Sequence, residues 1–168
     1  EVAGAFGIKL AAPEKEVVCF VGDGSYMMAN SEIATAVMMH VPFTIVLTDN
    51  RGYGCINRLQ QECGGAEFNN MYKDSNIETQ PDIDFVAHAA SMGAYAVKAS
   101  DIGQLEAEIV LARDRSIPSV IVVDTEAETG AGIGGAWWDV AVPEVGDTEK
   151  LKLARKHYEA NAARQRIN

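Results

Sequence analysis

The sequence predicts an α/β domain of three layers, α/β/α, with helices on both sides of a mainly parallel sheet. Three observations carry that expectation. Residues 17–21 (VVCFV), 43–48 (FTIVLT) and 119–124 (SVIVVD) are continuous apolar runs rich in β-branched residues. Such runs suit strands buried on both faces, as in a parallel sheet, better than the alternation of a half-exposed sheet. Segments with helical apolar spacing lie between them, and the repeated order strand, helix, strand implies right-handed crossovers.

Residues 1–13 (EVAGAFGIKLAAP) space Val2, Phe6 and Leu10 for a helix, yet no cap or turn precedes them. A helix entered partway, in a piece of a longer chain, is the expectation. After the first strand, Asn30 is the expected N-cap of a helix carrying Ile33, Ala34, Val37 and Met38. Beyond the second strand, residues 61–80 (QECGGAEFNNMYKDSNIETQ) are polar and long for a connection, which reads as a functional or mobile loop. Asp82 is the expected cap before Phe85, Val86 and Ala89, and residues 94–99 (AYAVKA) form a weaker strand. Asp101 caps the next helix, with Gln104 at capping-box spacing ahead of Leu105 and Ile109. The organisation expected is an α/β domain over residues 1–128, a Gly- and Trp-rich loop over 129–146, and a polar C-terminal helix over 147–168.

The charge balance narrows the partners. Lys and Arg number 14 against 24 Asp and Glu, a formal charge of -10, which repels nucleic acid and anionic membrane surfaces. An anionic ligand therefore needs a metal or backbone donors. No run approaches the roughly 20 apolar residues of a membrane span, and a soluble, cytoplasmic protein is the expectation. Cys19, Cys55 and Cys63 are odd in number and lack C-x-x-C spacing, which argues against a disulfide framework or a zinc site. His40, His88 and His157 are far apart and form no metal-binding pattern.

Asp23, between Gly22 and Gly24, lies just past the first strand, and Asn50 just past the second. If these strands are neighbours, about 4.8 Å apart, the two side chains meet at the carboxyl edge where open α/β sheets bind ligands. A carboxylate and an amide oxygen are hard ligands suited to magnesium, which completes its octahedron with phosphate oxygens and water. The glycines let the backbone approach closely, so that amide N–H groups after Asp23 can face a phosphate. The helix expected at Asn30 adds its N-terminal dipole.

Gly22-Asp23-Gly24 followed by 24 residues and then Asp49-Asn50 resembles the thiamine diphosphate fingerprint of the decarboxylase and acetolactate synthase superfamily. The resemblance implies the thiamine diphosphate-binding fold. It also implies that Asp23, the Asn50 side chain and the Gly52 carbonyl bind magnesium, while Gly22, Gly24, Ser25 and Tyr53 stand with them around the cofactor. The commoner family spelling has Asn at position 49, which is not the usual ligand. Two further stretches, "DNRGYGCINRLQQECGG" and "GAGIGGAWWDVAVPEV", are similar to the trihydroxycyclohexane-1,2-dione hydrolases, the ring-opening branch of inositol catabolism. That likeness implies a cyclic dione substrate, a homo-oligomer, and a pyrimidine-binding domain on another subunit that supplies the activating glutamate; no catalytic residue is expected in this chain. Two alternatives stay open: an acetolactate synthase-like or 2-oxoacid decarboxylase enzyme, and a non-catalytic phosphate-binding α/β module.

Other features weigh less. Gly130, Gly132 and Gly135 satisfy G-x-G-x-x-G, but "AWWDVAVP" follows instead of a helix, which speaks against a dinucleotide site. That segment reads as a lid, with Trp137 and Trp138 anchoring it to a neighbour or lining a pocket. Tyr53 and Cys55 follow the metal motif as packing residues or cofactor contacts, and Glu32 reads as an exposed first-turn helix residue.

Overall fold

A computed structural model describes residues 1–127 and 140–165. The chain divides into two compact units, Glu1–Gly52 with Thr79–Glu126, and Tyr53–Glu78 with Ala127–Asn168. The first unit holds helix α1 (Val2–Ala11), strand β1 (Val18–Gly22), helices α2 (Asp23–Met28) and α3 (Glu32–Met38), strand β2 (Thr44–Asp49), helix α5 (Phe85–Ser91), strand β3 (Tyr95–Lys98), helix α6 (Ile102–Ala112) and strand β4 (Ser119–Asp124). The second holds helix α4 (Gly54–Glu62), a short 3₁₀ turn at Tyr72–Asp74, and helix α7 (Glu149–Ala162).

All strand pairings are parallel, in the order β1-β2-β4-β3. Cys19, Ile45 and Val120 stand in register, as do Val21, Leu47 and Val122. These six line the inner face and form one core cluster with Val2 and Phe6 of α1, Tyr26 of α2, Ile33 and Ala36 of α3, and Phe85 and Ala89 of α5. The step from β3 back to β4 reverses direction, so a right-handed crossover carries α6 to the opposite face, against β4. The three-layer parallel arrangement is thus present.

Strands β2 and β4 are buried on both faces, as continuous apolar runs require. Strand β1 departs from the same expectation. Its residues alternate, with Cys19 and Val21 buried but Phe20 63% exposed. The reason is position: among the described residues β1 has one neighbouring strand, and α6 covers the other face at β4.

Two caps also differ from the reading of the sequence. Asn30 does not cap α3; its side chain donates back to the Tyr26 carbonyl at 3.1 Å, and Ser31 precedes the helix in helical conformation. The helix that begins at the carboxyl edge is instead α2, whose first residue is Asp23. At α5 the cap is Asp84, which accepts from the Ala87 N–H at 2.9 Å, and Asp82 stays free for other work. Asp101 caps α6 as expected, accepting from Gln104 N–H at 2.8 Å, while the Gln104 side chain accepts from Ser100 N–H.

Tyr26 ties α2 to α5. It is fully buried, its ring lies edge-on to Phe85 and His88, and its hydroxyl is 3.0 Å from His88 Nδ1. Burial pushes its phenol from 10.0 up to about 12. A folded-state value above the unfolded one means that the folded protein holds the proton more tightly. The stability so contributed is intact below pH 10 and is lost as the pH rises through 10 to about 12, a loss of roughly 2 to 3 kcal/mol. Tyr26→Phe is expected to abolish that alkaline loss and to cost about 1 kcal/mol at pH 8 through the missing hydrogen bond. Urea unfolding of both proteins at pH 8 and pH 11 checks it; an equal alkaline loss in the two would refute the assignment.

In the second unit, Thr148 caps α7 by accepting from Leu151 N–H at 3.2 Å. Gly64, at φ +91°, ends α4 so close to α7 that a Cβ there would lie 2.8 Å from Leu151 Cα. The stretch expected as a long loop contributes the 3₁₀ turn and two buried side chains, Cys63 and Met71. Trp137, Trp138 and the Gly130, Gly132, Gly135 motif lie outside the described residues.

Candidate functional site

Parallel pairing of β1 with β2 places Gly22 opposite Thr48, so both strands deliver their next residues to the same edge. Asp23 is buried there, at 2% exposure. Its Oδ1 accepts from the Asn50 N–H at 3.2 Å and its Oδ2 from the Gly52 N–H at 2.8 Å. The intervening N–H, of Arg51, donates to Asp49 Oδ1 at 3.0 Å. Three successive amides of one turn thus point at two carboxylates. Burial pushes the Asp23 carboxyl above its ordinary value, the two amides pull it partly back, and the nearby charge of Asp49 adds to the rise.

The turn is tight because Arg51 adopts φ +61° and Gly52 φ +153°. A left-handed conformation costs a non-glycine residue about 1 kcal/mol. The turn directs the Gly52 carbonyl toward the Asn50 side chain, whose nearer amide atom lies 3.0 Å from Gly52 O and 3.3 Å from Asp23 Oδ1. With nitrogen in that position the amide donates to both oxygens and closes the turn by itself. With oxygen there, three oxygens face one another with no proton between them, an arrangement that calls for a cation. Neighbouring oxygens of an octahedron with magnesium–oxygen bonds of 2.0–2.1 Å stand about 3.0 Å apart, so the spacing fits. Among the described residues no group of three or more His, Cys, Asp or Glu could hold a metal. A cation here would rest on one carboxylate, one amide and one carbonyl, with the remaining positions open to phosphate oxygens and water.

Gly22 supplies a second test of fit. Its backbone is ordinary extended chain, at φ −75° and ψ 154°, and a Cβ built on it would meet nothing within 4 Å. Neither backbone conformation nor packing within the protein demands glycine at this position. Gly24 and Ser25 lie in the first turn of α2, where N–H groups have no intrahelical carbonyl to bind. Tyr53 and Cys55 fall in the second unit: the Tyr53 N–H donates to the Asn70 carbonyl at 2.7 Å, and Cys55 is exposed and free. Glu32 is half-buried in the first turn of α3.

What the motif reading passed over is the role of Asp49. It is buried, and besides the Arg51 N–H it takes the Arg51 guanidinium, Nε to Oδ2 at 3.2 Å. An Asp that accepts the N–H two residues on makes an Asx turn, but the left-handed conformation at Arg51 has no mark in the residue types.

The sequence profile of the thiamine pyrophosphate enzymes, for their C-terminal TPP binding domain, matches residues 1–123. The chain belongs to the thiamine pyrophosphate enzyme family. Two curated relatives of this thiamine pyrophosphate-binding domain carry the name 3D-(3,5/4)-trihydroxycyclohexane-1,2-dione hydrolase. The one from Geobacillus thermodenitrificans is 36% identical over 167 residues, covering 96% of this chain and 26% of the relative. The one from Halalkalibacterium halodurans is 36% identical over 155 residues, covering 92% and 24%. The chain therefore spans about a quarter of the length of these relatives. Among solved structures, the thiamine diphosphate-dependent 4-hydroxybenzoylformate decarboxylase of Rhodococcus jostii RHA1 superposes with a TM-score of 0.63 over 73% of this chain and 22% of that one, at 24% identity, a likeness of fold. Parallel sheet and flanking helices are those of a thiamine pyrophosphate enzyme domain.

Proposed function

We propose that this domain binds the diphosphate of thiamine diphosphate through magnesium and serves a hydrolase of carbon–carbon bonds that opens the ring of trihydroxycyclohexane-1,2-dione to a 5-deoxyglucuronate in inositol breakdown. One observation supports the cofactor half: the nearer amide atom of Asn50 stands 3.0 Å from the Gly52 carbonyl and 3.3 Å from Asp23 Oδ1, and with the amide oxygen turned to that position this is the spacing of cis ligands on a hard cation. In this reading Asp23, Asn50 and the Gly52 carbonyl are the metal ligands. Gly22, Gly24 and Ser25 line the diphosphate, and Tyr53 follows next to the metal turn. Thiamine diphosphate, when bound, supplies an electron sink for cleavage of a bond beside a carbonyl. The residues of this chain bind and orient it. The pyrimidine end and the activating glutamate belong to a domain outside this chain, on a second subunit of a homo-oligomer. No helix among the described residues is long and apolar enough to cross a membrane, in keeping with a cytoplasmic enzyme.

The names of the curated relatives support the substrate half of the proposal. Its test uses the full-length enzyme that contains this chain, loaded with thiamine diphosphate and magnesium. Incubation with the cyclic dione is expected to consume it and release an open-chain acid, while pyruvate is expected to yield no carbon dioxide. Carbon dioxide from pyruvate with the dione left intact would reject the hydrolase in favour of a 2-oxoacid decarboxylase.

A further inference from the structure

We propose that Asp49 and Arg51 are a positioning pair that sets the cation-binding turn. The proposal rests on the reading of Asp23, Asn50 and Gly52 as cation ligands, and it concerns residues that are not themselves ligands.

The turn must bring the Asn50 side chain and the Gly52 carbonyl back toward Asp23 across a single intervening residue. That residue, Arg51, sits at φ +61°, a conformation in which glycine, asparagine or aspartate would be usual and arginine is not. Its surroundings show what holds it there. Asp49 Oδ1 takes the Arg51 N–H at 3.0 Å, and Asp49 Oδ2 takes Nε at 3.2 Å. Both carboxylate oxygens are thus engaged by one residue. The Asp49 side chain is only 3% exposed, and a buried charge is costly unless it is paired and hydrogen-bonded. The two contacts and the left-handed conformation of Arg51 occur together, and in the proposal they support each other.

The anchor is firm on its main-chain side as well. The Asp49 carbonyl accepts from the Thr125 N–H at 2.8 Å, which fixes the end of β2 to the end of β4. The Arg51 guanidinium also reaches Asp82 at 3.2 Å, beside a cavity of about 270 Å³ that Phe85, Lys98 and Val122 help to line. Asp82 is almost fully exposed, and exposed pairs contribute little. Asp49 is the principal partner. It acts on the cation through Arg51, and so through the direction of the Asn50 and Gly52 oxygens.

The test follows Mn²⁺, a spectroscopic probe for a hard-oxygen site, by its electron paramagnetic resonance signal in the full-length enzyme with thiamine diphosphate. Replacing a residue that orients ligands typically weakens metal binding 10- to 100-fold, and Asp49→Ala is expected to weaken Mn²⁺ binding roughly tenfold. Asp49→Asn is expected to weaken it less, because the amide oxygen still accepts the Arg51 N–H. Adding Arg51→Gly to Asp49→Ala is expected to restore most of the loss, since glycine adopts φ +61° freely. If Asp49→Ala binds Mn²⁺ as tightly as the unaltered enzyme, or if the double variant binds no better than Asp49→Ala, the positioning role is wrong. Should Asp49→Ala not fold, Arg51→Gly against Arg51→Ala decides the matter: both lack the guanidinium, and glycine is expected to bind more tightly; equal binding overturns the proposal. Asp23→Ala separates the two readings, because unimpaired Mn²⁺ binding in that variant removes the cation site itself, whatever position 49 does.

Discussion

Asp23→Ala in the full-length enzyme is expected to weaken magnesium-dependent binding of thiamine diphosphate by roughly 100-fold or more, since even residues behind the ligands are worth 10- to 100-fold. On the proposed reading the variant removes a charged ligand. It also removes the acceptor for the Asn50 and Gly52 N–H groups, so the turn that carries the other two oxygens loses its centre. Asn50→Ala is expected to cost less, roughly tenfold, because Asp23 still closes the turn and only a neutral oxygen is lost. Titration of thiamine diphosphate with and without magnesium, followed calorimetrically, measures both. The difference between the two conditions is the informative quantity: it should shrink toward nothing in Asp23→Ala. Cofactor affinity unchanged in both variants would dispose of the metal site.

Leu47→Ala is expected to destabilise the protein by about 3 to 4 kcal/mol, in the range for leucine deletions that leave a cavity. Leu47 is fully buried in β2, between Val21 of β1 and Val122 of β4, on the face covered by Tyr26 and Phe85. A cavity there has little means of collapse, because strands on both sides hold the position. It also lies two residues before Asp49, so cofactor affinity is expected to fall with stability. Phe20→Ala, a larger truncation, is expected to cost less than about 1 kcal/mol, because Phe20 is 63% exposed on β1. Urea unfolding of the two variants compares them; a Phe20→Ala loss as large as that of Leu47→Ala would contradict the exposure of Phe20.

Much of the fold was legible from residue type. Ile45, Val46 and Leu47, like Val120, Ile121 and Val122, form unbroken apolar runs because β2 and β4 are interior strands with both faces covered. The run at 17–21 looks the same, yet Phe20 faces outward. Hydrophobicity states what a strand can bury, and strand order determines what it does bury. The caps teach the same lesson at short range. Asn30 and Asp82 have the chemistry of N-caps, but so do Ser31 and Asp84 beside them, and backbone geometry selected which residue, if any, caps.

The site divides along the same line. Asp23 and Asn50 were readable as partners, because two motifs that each end a strand meet when those strands pair in parallel. Asp49 was not, because its importance lies in the left-handed turn at Arg51, a feature that no side-chain pattern announces when the residue is arginine. The sequence by itself determined the chemistry on offer: hard oxygen donors, glycines beside them, apolar runs for a parallel sheet, and a net charge of -10. The tertiary structure alone decided which N–H groups gather on Asp23, which face of each strand is covered, and which carboxylate takes the Arg51 N–H and guanidinium. Those outcomes depend on contacts 27 and 29 residues apart along the chain, such as those from Asp23 to Asn50 and to Gly52, and local composition carries no record of which distant partners will close them.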